Sequence, residues 1–378
     1  MAVSLETEPE HKPSQDGEKA SRPRRALFAL FFPAAVFYVL WWFFAGENES
    51  WAFFQGRTGE DSFPRYYLSI MMVFGSVVAG STSQGGASVA FPIMTLMFNI
   101  LPSTARDFCF MIQSVGMTSA AFSIAVMRVR FEFVSLVICT VGGILGVVFG
   151  LEWIAPLLPA SYVELYSVAV AVTFGFALYW ALGVQNESVT DEITGLSENG
   201  RGLPFWKVWV LLLVGMVGGV FSALFGSGID TCAFVALTCL FRVSEKVATP
   251  TTVVLMAVNT CVGFLYREFA MGGVAEDAWS YFLVCIPIVV IGGPFGSVVA
   301  SHFRRSLLIP LVYAFDAFQL VLALAVVKPW TEETPLLCVT SAAITILGLV
   351  FVKCMAKMGE RMMQWQILPT HDKVPTSS

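Results

Sequence analysis

The chain has 378 residues, of which 56% are hydrophobic and only 13% charged. That balance excludes an ordinary soluble domain and places the chain in the membrane class. The formal net charge of −5 arises mostly in tails and loops, and no basic stripe suggests a nucleic-acid partner. The short alternating patterns of barrel strands are missing. Backbone groups in lipid must be satisfied within their own segment, so the expected fold is all-α, a polytopic bundle of membrane helices.

Residues 1–25 are polar and read as a disordered cytoplasmic tail ending in Ser-Arg-Pro-Arg-Arg25. Its length argues against a cleaved signal peptide and for a signal-anchor-like first helix. Twelve apolar segments follow, at about 26–45, 66–82, 86–101, 105–127, 132–151, 160–183, 204–225, 230–242, 246–266, 278–300, 306–327 and 335–354. The third and eighth are short for a span, which needs about 20 residues. All ten tryptophans fall near segment ends or in loops, as in an interfacial belt. Basic residues cluster before segment one, at Arg128 and Arg130, at Arg304 and Arg305, and after segment twelve. With the amino terminus in the cytoplasm, every cluster is expected to land inside only if the third and eighth segments also cross; a re-entrant one would flip everything after it. Both termini are then cytoplasmic. The plasma membrane is the expected location, since no retention or transit signal is legible.

Shifted by about 143 residues, the chain resembles itself. Gly85 falls on Gly228 and Ala105 on Ala248. After an insertion near Met271-Gly-Gly273, Gly142-Gly143-Ile-Leu-Gly146 falls on Gly292-Gly293-Pro-Phe-Gly296. Residues 66–183 then form one unit of five segments and 204–327 another, joined by a cytoplasmic linker at 184–203. Residues 26–65 add a first helix and outer loop; 328–378 add a last helix and tail. Five is odd, so the second unit enters the membrane from the opposite side, as in the inverted repeats of secondary transporters. The plainer alternative is chance likeness between glycine-rich packing faces.

Two stretches are unusual for a lipid setting. Gly80-Ser-Thr-Ser-Gln-Gly-Gly-Ala-Ser-Val-Ala-Phe-Pro92 is rich in hydroxyls and glycines, and Gly226-Ser-Gly-Ile-Asp230 repeats the theme. Broken helices at the midplane form transporter binding sites, where free N–H groups hold anions and glycines admit the ligand. Ser81, Thr82, Ser83, Gln84, Gly85, Gly86 and Ser88 are the candidates from the first stretch. Gly226, Ser227, Gly228 and Thr231 are those from the second. Small residues that merely permit tight packing are the alternative, and a fair one for Gly142, Gly146, Gly292 and Gly296.

These stretches resemble the TauE/SafE sulfite exporter family, also called the 4-toluene sulfonate uptake permease family. The family pattern is a Gly-rich segment after a first helix with a proline several residues on, repeated in the second half. Here it matches Gly80 to Pro92, and Gly215-Met-Val-Gly-Gly219 through Gly226-Ser-Gly228; Glu245-Lys-Val-Ala-Thr-Pro-Thr-Thr252 resembles the helix start that follows. The resemblance covers roughly residues 66–327 and suits a eukaryotic-type member with extended tails. The second motif has no proline matching Pro92, and the tail and the loop at 184–203 are extra. The resemblance implies transport of small sulfur-containing anions such as sulfite, sulfonates or sulfoacetate.

Asp230 and Asp316 are the acids expected within the bilayer. Such a charge costs about 2.5–3.5 kcal/mol at a helix centre, so it normally faces the bundle interior. Asp316 reads either as a proton carrier or as a structural acid bonded near Gln319; Asp230 reads as a helix N-cap or a coupling acid. An aspartate at an anion site admits the anion when neutral and expels it when ionised, which makes proton coupling natural. Gln113, Ser114, Thr118, Thr249, Thr251, Thr252 and Asn259 either line the path or join helices to one another. The eight cysteines read as buried thiols. Of three histidines only His302 is near a span, so no metal site is expected, and no Walker motif or nucleophile turn supports an enzyme. No cofactor is expected. An anion channel, a carrier of another organic anion and a scaffold remain the alternatives to a proton-coupled carrier.

Overall fold

A computed structural model describes residues 15–47, 57–58, 63–81, 85–184, 204–302, 305–328 and 335–367. Twelve α-helices occur among them: α1 (Gln15–Glu47), α2 (Tyr66–Ser81), α3 (Ala87–Pro92), α4 (Pro102–Val126), α5 (Phe133–Phe149), α6 (Ala160–Val184), α7 (Phe205–Phe225), α8 (Ile229–Val235), α9 (Glu245–Phe269), α10 (Glu276–His302), α11 (Arg305–Val327) and α12 (Pro335–Ile367). Arg57–Thr58 pairs antiparallel with Phe63–Pro64 in the loop before α2. Eight helices are long and apolar enough to cross a membrane. The chain is therefore a polytopic helical bundle, as its composition implies.

Two helices run past their expected ends. Helix α1 begins at Gln15, within the stretch read as a disordered tail. Helix α12 continues to Ile367 because its polar continuation docks: Val352 and Ala356 are buried, a Cβ on Gly359 would meet the carbonyls of Cys239 and Leu240, and Arg242 pairs with Glu360 at 3.5 Å. The linker 185–203 lies outside the described residues, as do residues 1–14.

The third and eighth segments do not cross alone. Each is a short α-helix run on into one π turn: α3 into Ile93–Met97, α8 into Ala236–Leu240. At 1.5 Å per residue either arm reaches roughly 16 Å, about half of a 30 Å hydrocarbon core. Gly86 lies against Ala79 and Val89 against Gly75, so α3 folds back antiparallel on α2. Ile229 lies against Gly218, and α8 likewise folds back on α7.

Contacts between helices fix their directions. Tyr38 and Trp41 of α1 donate to the carbonyls of Pro287 (2.6 Å) and Leu283 (2.8 Å), and Ser123 donates to that of Ala29 (3.0 Å). Asp107 meets Arg267, while the backbone N–H of Glu132, beyond α4, donates to Thr251 Oγ1 at 2.8 Å, so α4 and α9 are antiparallel. Arg24, Arg128, Arg130 and Lys207 consequently gather at one end, called here the basic end, with the starts of α5, α7 and α9. The starts of α2, α4 and α10 lie at the other. Helix α2 thus enters from the far end and α7 from the basic end.

Close backbone approach organises the crossings. Helix α7 lies on α5 where Gly215 and Gly219 meet the backbone of Cys139, Gly143 and Gly146. Helix α2 lies on α10 where Gly80 meets Gly293 and Gly296. A Cβ at Gly80, Gly146, Gly215, Gly219, Gly293 or Gly296 would collide with facing backbone, and one at Gly143 with the side chains of Ile229 and Asn259. Element bounds also recur at an interval of 143: the two π turns, α4 against α9, and the left-handed residues Asn99 (φ 52°) and Arg242 (φ 57°). The largest apolar core joins α2, α3, α4 and α10 through Leu68, Phe91, Phe108 and Tyr281.

Candidate functional site

The chain breaks helix twice inside the bundle, and the two breaks meet. Helix α2 ends at Ser81 and α3 starts at Ala87; α7 ends at Phe225 and α8 starts at Ile229. Gly85 and Gly226 hold positive φ values of 70° and 78°, a conformation that glycine adopts without steric penalty. A Cβ on Gly85 would stand 2.7 Å from Asp230 Oδ2. The first stretch therefore faces the acid of the second directly. Phe91 and Phe225 pack across the same junction, with ring centroids 6.1 Å apart.

A narrow cavity lies between the breaks and α6. Ser88, Ser227, Gly228 and Thr231 line it from the two stretches, Ser167 from α6, and Phe91, Pro92 and Phe225 give it an apolar wall. Among the described residues no basic side chain lines it. In this conformation its enclosed space is of water size, with hydroxyls on one side and hydrocarbon on the other. A second cavity, of about 240 Å³, places Gln113 opposite Gly86, Ser76 and Gly293.

Asp230 is buried and holds the second turn together. Its carboxylate accepts from the Gly228 N–H (3.1 Å) and from Ser227 Oγ (3.3 Å), while the Ile229 N–H donates to Ser222 Oγ at 3.3 Å. Those two backbone amides and the Ser227 proton are already engaged, so Thr231 supplies the hydroxyl donor that this break turns to the cavity. At the interval of 143, Ala87 stands where Asp230 does, and no carboxylate answers it in the first stretch.

Each break is also held by an amide from elsewhere. Gln113 of α4 donates to the carbonyls of Gly226 (2.7 Å) and Cys109 (3.1 Å). Gln319 of α11 donates to the carbonyl of Ser88 at 2.8 Å, and Ser88 Oγ donates to that of Gly85 at 2.8 Å. Asp316, one turn before Gln319, is buried with Oδ2 2.9 Å from where a Cβ on Gly175 would stand. Gly175 is one turn beyond Ala171 of the cavity wall, which links the acid to the cavity.

The other candidates divide. Ser81 Oγ bonds its own helix at the carbonyl of Val78, Ser114 at Met111, and Thr252 at Thr249. Thr118 lies 3.7 Å from Cys261 Sγ between α4 and α9. Thr251 joins α9 to Glu132. Asn259 is fully buried beside Gly143 and Ile229, and among the described residues neither its Oδ1 nor its Nδ2 has a hydrogen-bond partner. Thr82, Ser83 and Gln84 lie outside the described residues. All eight cysteines are free thiols.

A model of the sulfite exporter TauE/SafE family matches residues 67–325, more than half of the chain and inclusive of both breaks. The chain belongs to that family. No curated protein and no solved structure gives a match. The family is a transporter family, and membership implies membrane transport of sulfite or related anions.

In this TauE/SafE chain three features escape sequence reading. Ser167 is one of several hydroxyl residues in α6, and nothing local marks it as cavity lining. Gln319 carries the signal of an amide one turn from a membrane acid, but its target is 231 residues away. The ion cluster of Arg106, Asp107 and Arg267 unites residues that sequence distance keeps apart.

Proposed function

We propose that the chain is a secondary transporter for a small sulfur-containing anion, such as sulfite, a sulfonate or sulfoacetate. The observation that carries this reading is the meeting of the two breaks at Gly85 and Asp230, beside a cavity lined from both. The anion's oxygens meet Ser88, Ser227 and Thr231 and the first stretch, Gln84 included. Any apolar part of the solute lies against Phe91 and Phe225. Among the described residues the wall has no basic side chain, so hydroxyls and peptide dipoles balance the charge, as at other lysine-free anion sites.

Residues 66–183 and 204–327 act as inverted repeats. The recurrence at 143 residues and the opposite directions of α2 and α7 support that reading. Alternating access is a movement of one repeat against the other around the cavity. Protons couple through Asp230, which faces the first break, and through Asp316 behind the cavity wall. An ionised Asp230 repels the anion; a neutral one admits it. The basic end is cytoplasmic by the excess of Lys and Arg in its loops, which puts both termini inside, and the plasma membrane is the proposed location.

Purified protein in liposomes, supplied with sulfite, sulfoacetate and other organic anions with and without a pH difference, tests the reading. Saturable flux of the sulfur anions that responds to the proton gradient is the expected result. Flux that ignores the gradient and does not saturate makes the chain a channel. No flux of any anion defeats the proposal.

A further inference from the structure

Asp107 of α4 lies between two guanidinium groups near the far end of the bundle. Arg267 of α9 grips it through two bonds, Nη2 to Oδ2 at 2.7 Å and Nε to Oδ1 at 3.0 Å. Arg106 reaches the same Oδ1 through Nη2 at 2.9 Å and Nε at 3.1 Å. Asp107 is 1% exposed, and the arginine side chains are 9% and 15% exposed. One carboxylate thus serves two cations, and among the described residues no second carboxylate pairs with either arginine. The cluster retains one positive charge where charge is expensive to keep.

Half of this arrangement has a structural reason. A bidentate pair ties α4 to α9. Arg267 lies in the last turn of α9, where the helix dipole favours a cation. Arg106 has no such reason. It lies near the start of α4, the positive end of that helix dipole, and it shares a carboxylate that Arg267 already satisfies. A membrane arginine with such costs normally has a task on an ion path.

Its position supplies one. The backbone carbonyl of Arg106 is 3.3 Å from where a Cβ on Gly226 would stand, so the turn of α4 that carries the cluster abuts the second break. Gln113, which bonds the Gly226 carbonyl, is seven residues along α4, or roughly 10 Å. We propose that Arg106, with Asp107 and Arg267, forms an anion-docking station at the far end of the bundle, between that face and the cavity. Its ligand is the oxyanion group of the transported solute. The docked anion takes guanidinium N–H groups that Asp107 does not use, and Asp107 limits how tightly it is held. This rests on the transport reading above.

The test is sided flux in liposomes. Vesicles captured through a carboxy-terminal tag present the basic end outward; uncaptured vesicles present the far end. Sulfite and ethanesulfonate are the probes. Arg106→Gln leaves the Arg267–Asp107 tie in place. It is expected to raise the half-saturating concentration about tenfold from the far end only, a change equal to about 1.4 kcal/mol. Asp107→Asn adds net positive charge and is expected to shift the same constant the opposite way. Arg106→Lys restores part of the parent value. If the parent moves both anions and Arg106→Gln changes neither side by as much as twofold, the docking station is refuted and the transport reading stands. It is equally refuted if Arg106→Gln and Asp107→Asn shift the constant in one direction, as a mere helix tie requires. A parent that moves neither anion overturns the transport reading first and this inference with it.

Discussion

Asn259 sets stability against transport. Its side chain is fully buried beside Gly143 and Ile229, with Oδ1 2.7 Å from where a Cβ on Gly143 would stand, and neither polar atom has a partner among the described residues. An unpaired buried amide costs about 1–3 kcal/mol. Leucine has the same branching at Cγ and no polar atom, so Asn259→Leu removes that cost. At about 2 °C per kcal/mol for a large chain, the thermal midpoint in detergent should rise by roughly 2–6 °C. If Asn259 lines the path, its amide bonds the passing anion, a contact worth about 1.5–3 kcal/mol for a charged partner. The variant should then transport about tenfold to a hundredfold less well, measured as flux over concentration in liposomes. Greater stability with lost transport is the combination that a functional polar group produces. A variant that carries the anion as the parent does refutes the path assignment. One that melts below the parent refutes the unpaired-amide argument.

Asp316→Asn keeps the shape of the buried acid and removes its titration; gradient-driven flux should fall to the level seen without a pH difference, read from uptake at equal and unequal pH. Gln113→Leu leaves the Gly226 carbonyl without its 2.7 Å donor, and the average membrane hydrogen bond of about 0.6 kcal/mol, with a maximum near 1.7, predicts a threefold to roughly twentyfold loss of flux. Gly219→Leu drives a side chain into the backbone of Gly143, Gly146 and Val147 at the α5–α7 crossing. Little monodisperse protein should survive size-exclusion chromatography, whereas Leu213→Ala on the exposed face of the same helix should behave as the parent does.

What the sequence made legible follows from the strength of each local signal. The apolar runs carry a strong signal for a helical bundle, although α1 begins well before the first run and α12 ends well beyond the last. The breaks were legible because Gly, Ser and Gln cluster where lipid-facing helices keep Leu and Val. The fold-back of α3 and α8 was not, since apolar runs of these lengths look alike whether they cross or return. The π turns depend on a bond shifted by one residue, which no residue type announces. Pairings at long range were out of reach for the same physical reason: Gln113 with Gly226, Gln319 with Ser88 and Asp107 with Arg267 are decided by packing, not by neighbours in the chain. Asp230 was read as a helix N-cap or a coupling acid; Gly228 is the N-cap of α8, and Asp230, within its first turn, instead holds the preceding turn through the Gly228 N–H and Ser227 Oγ.

The half-length arms also resolve a tension in the charge pattern. Full crossings by the third and eighth segments are one way to bring every basic cluster to the same end. A hairpin that enters and returns leaves the chain at the end where it began, and two full crossings do the same. Parity is unchanged, so the Lys and Arg pattern agrees with two pairs of broken helices as well as with four complete ones. The difference lies in what the interior receives. Complete helices would carry their backbone polar groups through the bundle fully bonded, whereas the two returns leave glycine turns inside it, meeting across Gly85 and Asp230. Each turn leans on the opposite part of the chain: Gln113 holds Gly226, and Gln319 holds Ser88. In the proposed repeats, neither half can shift without altering the grip on the other's turn, which is the coupling that alternating access requires.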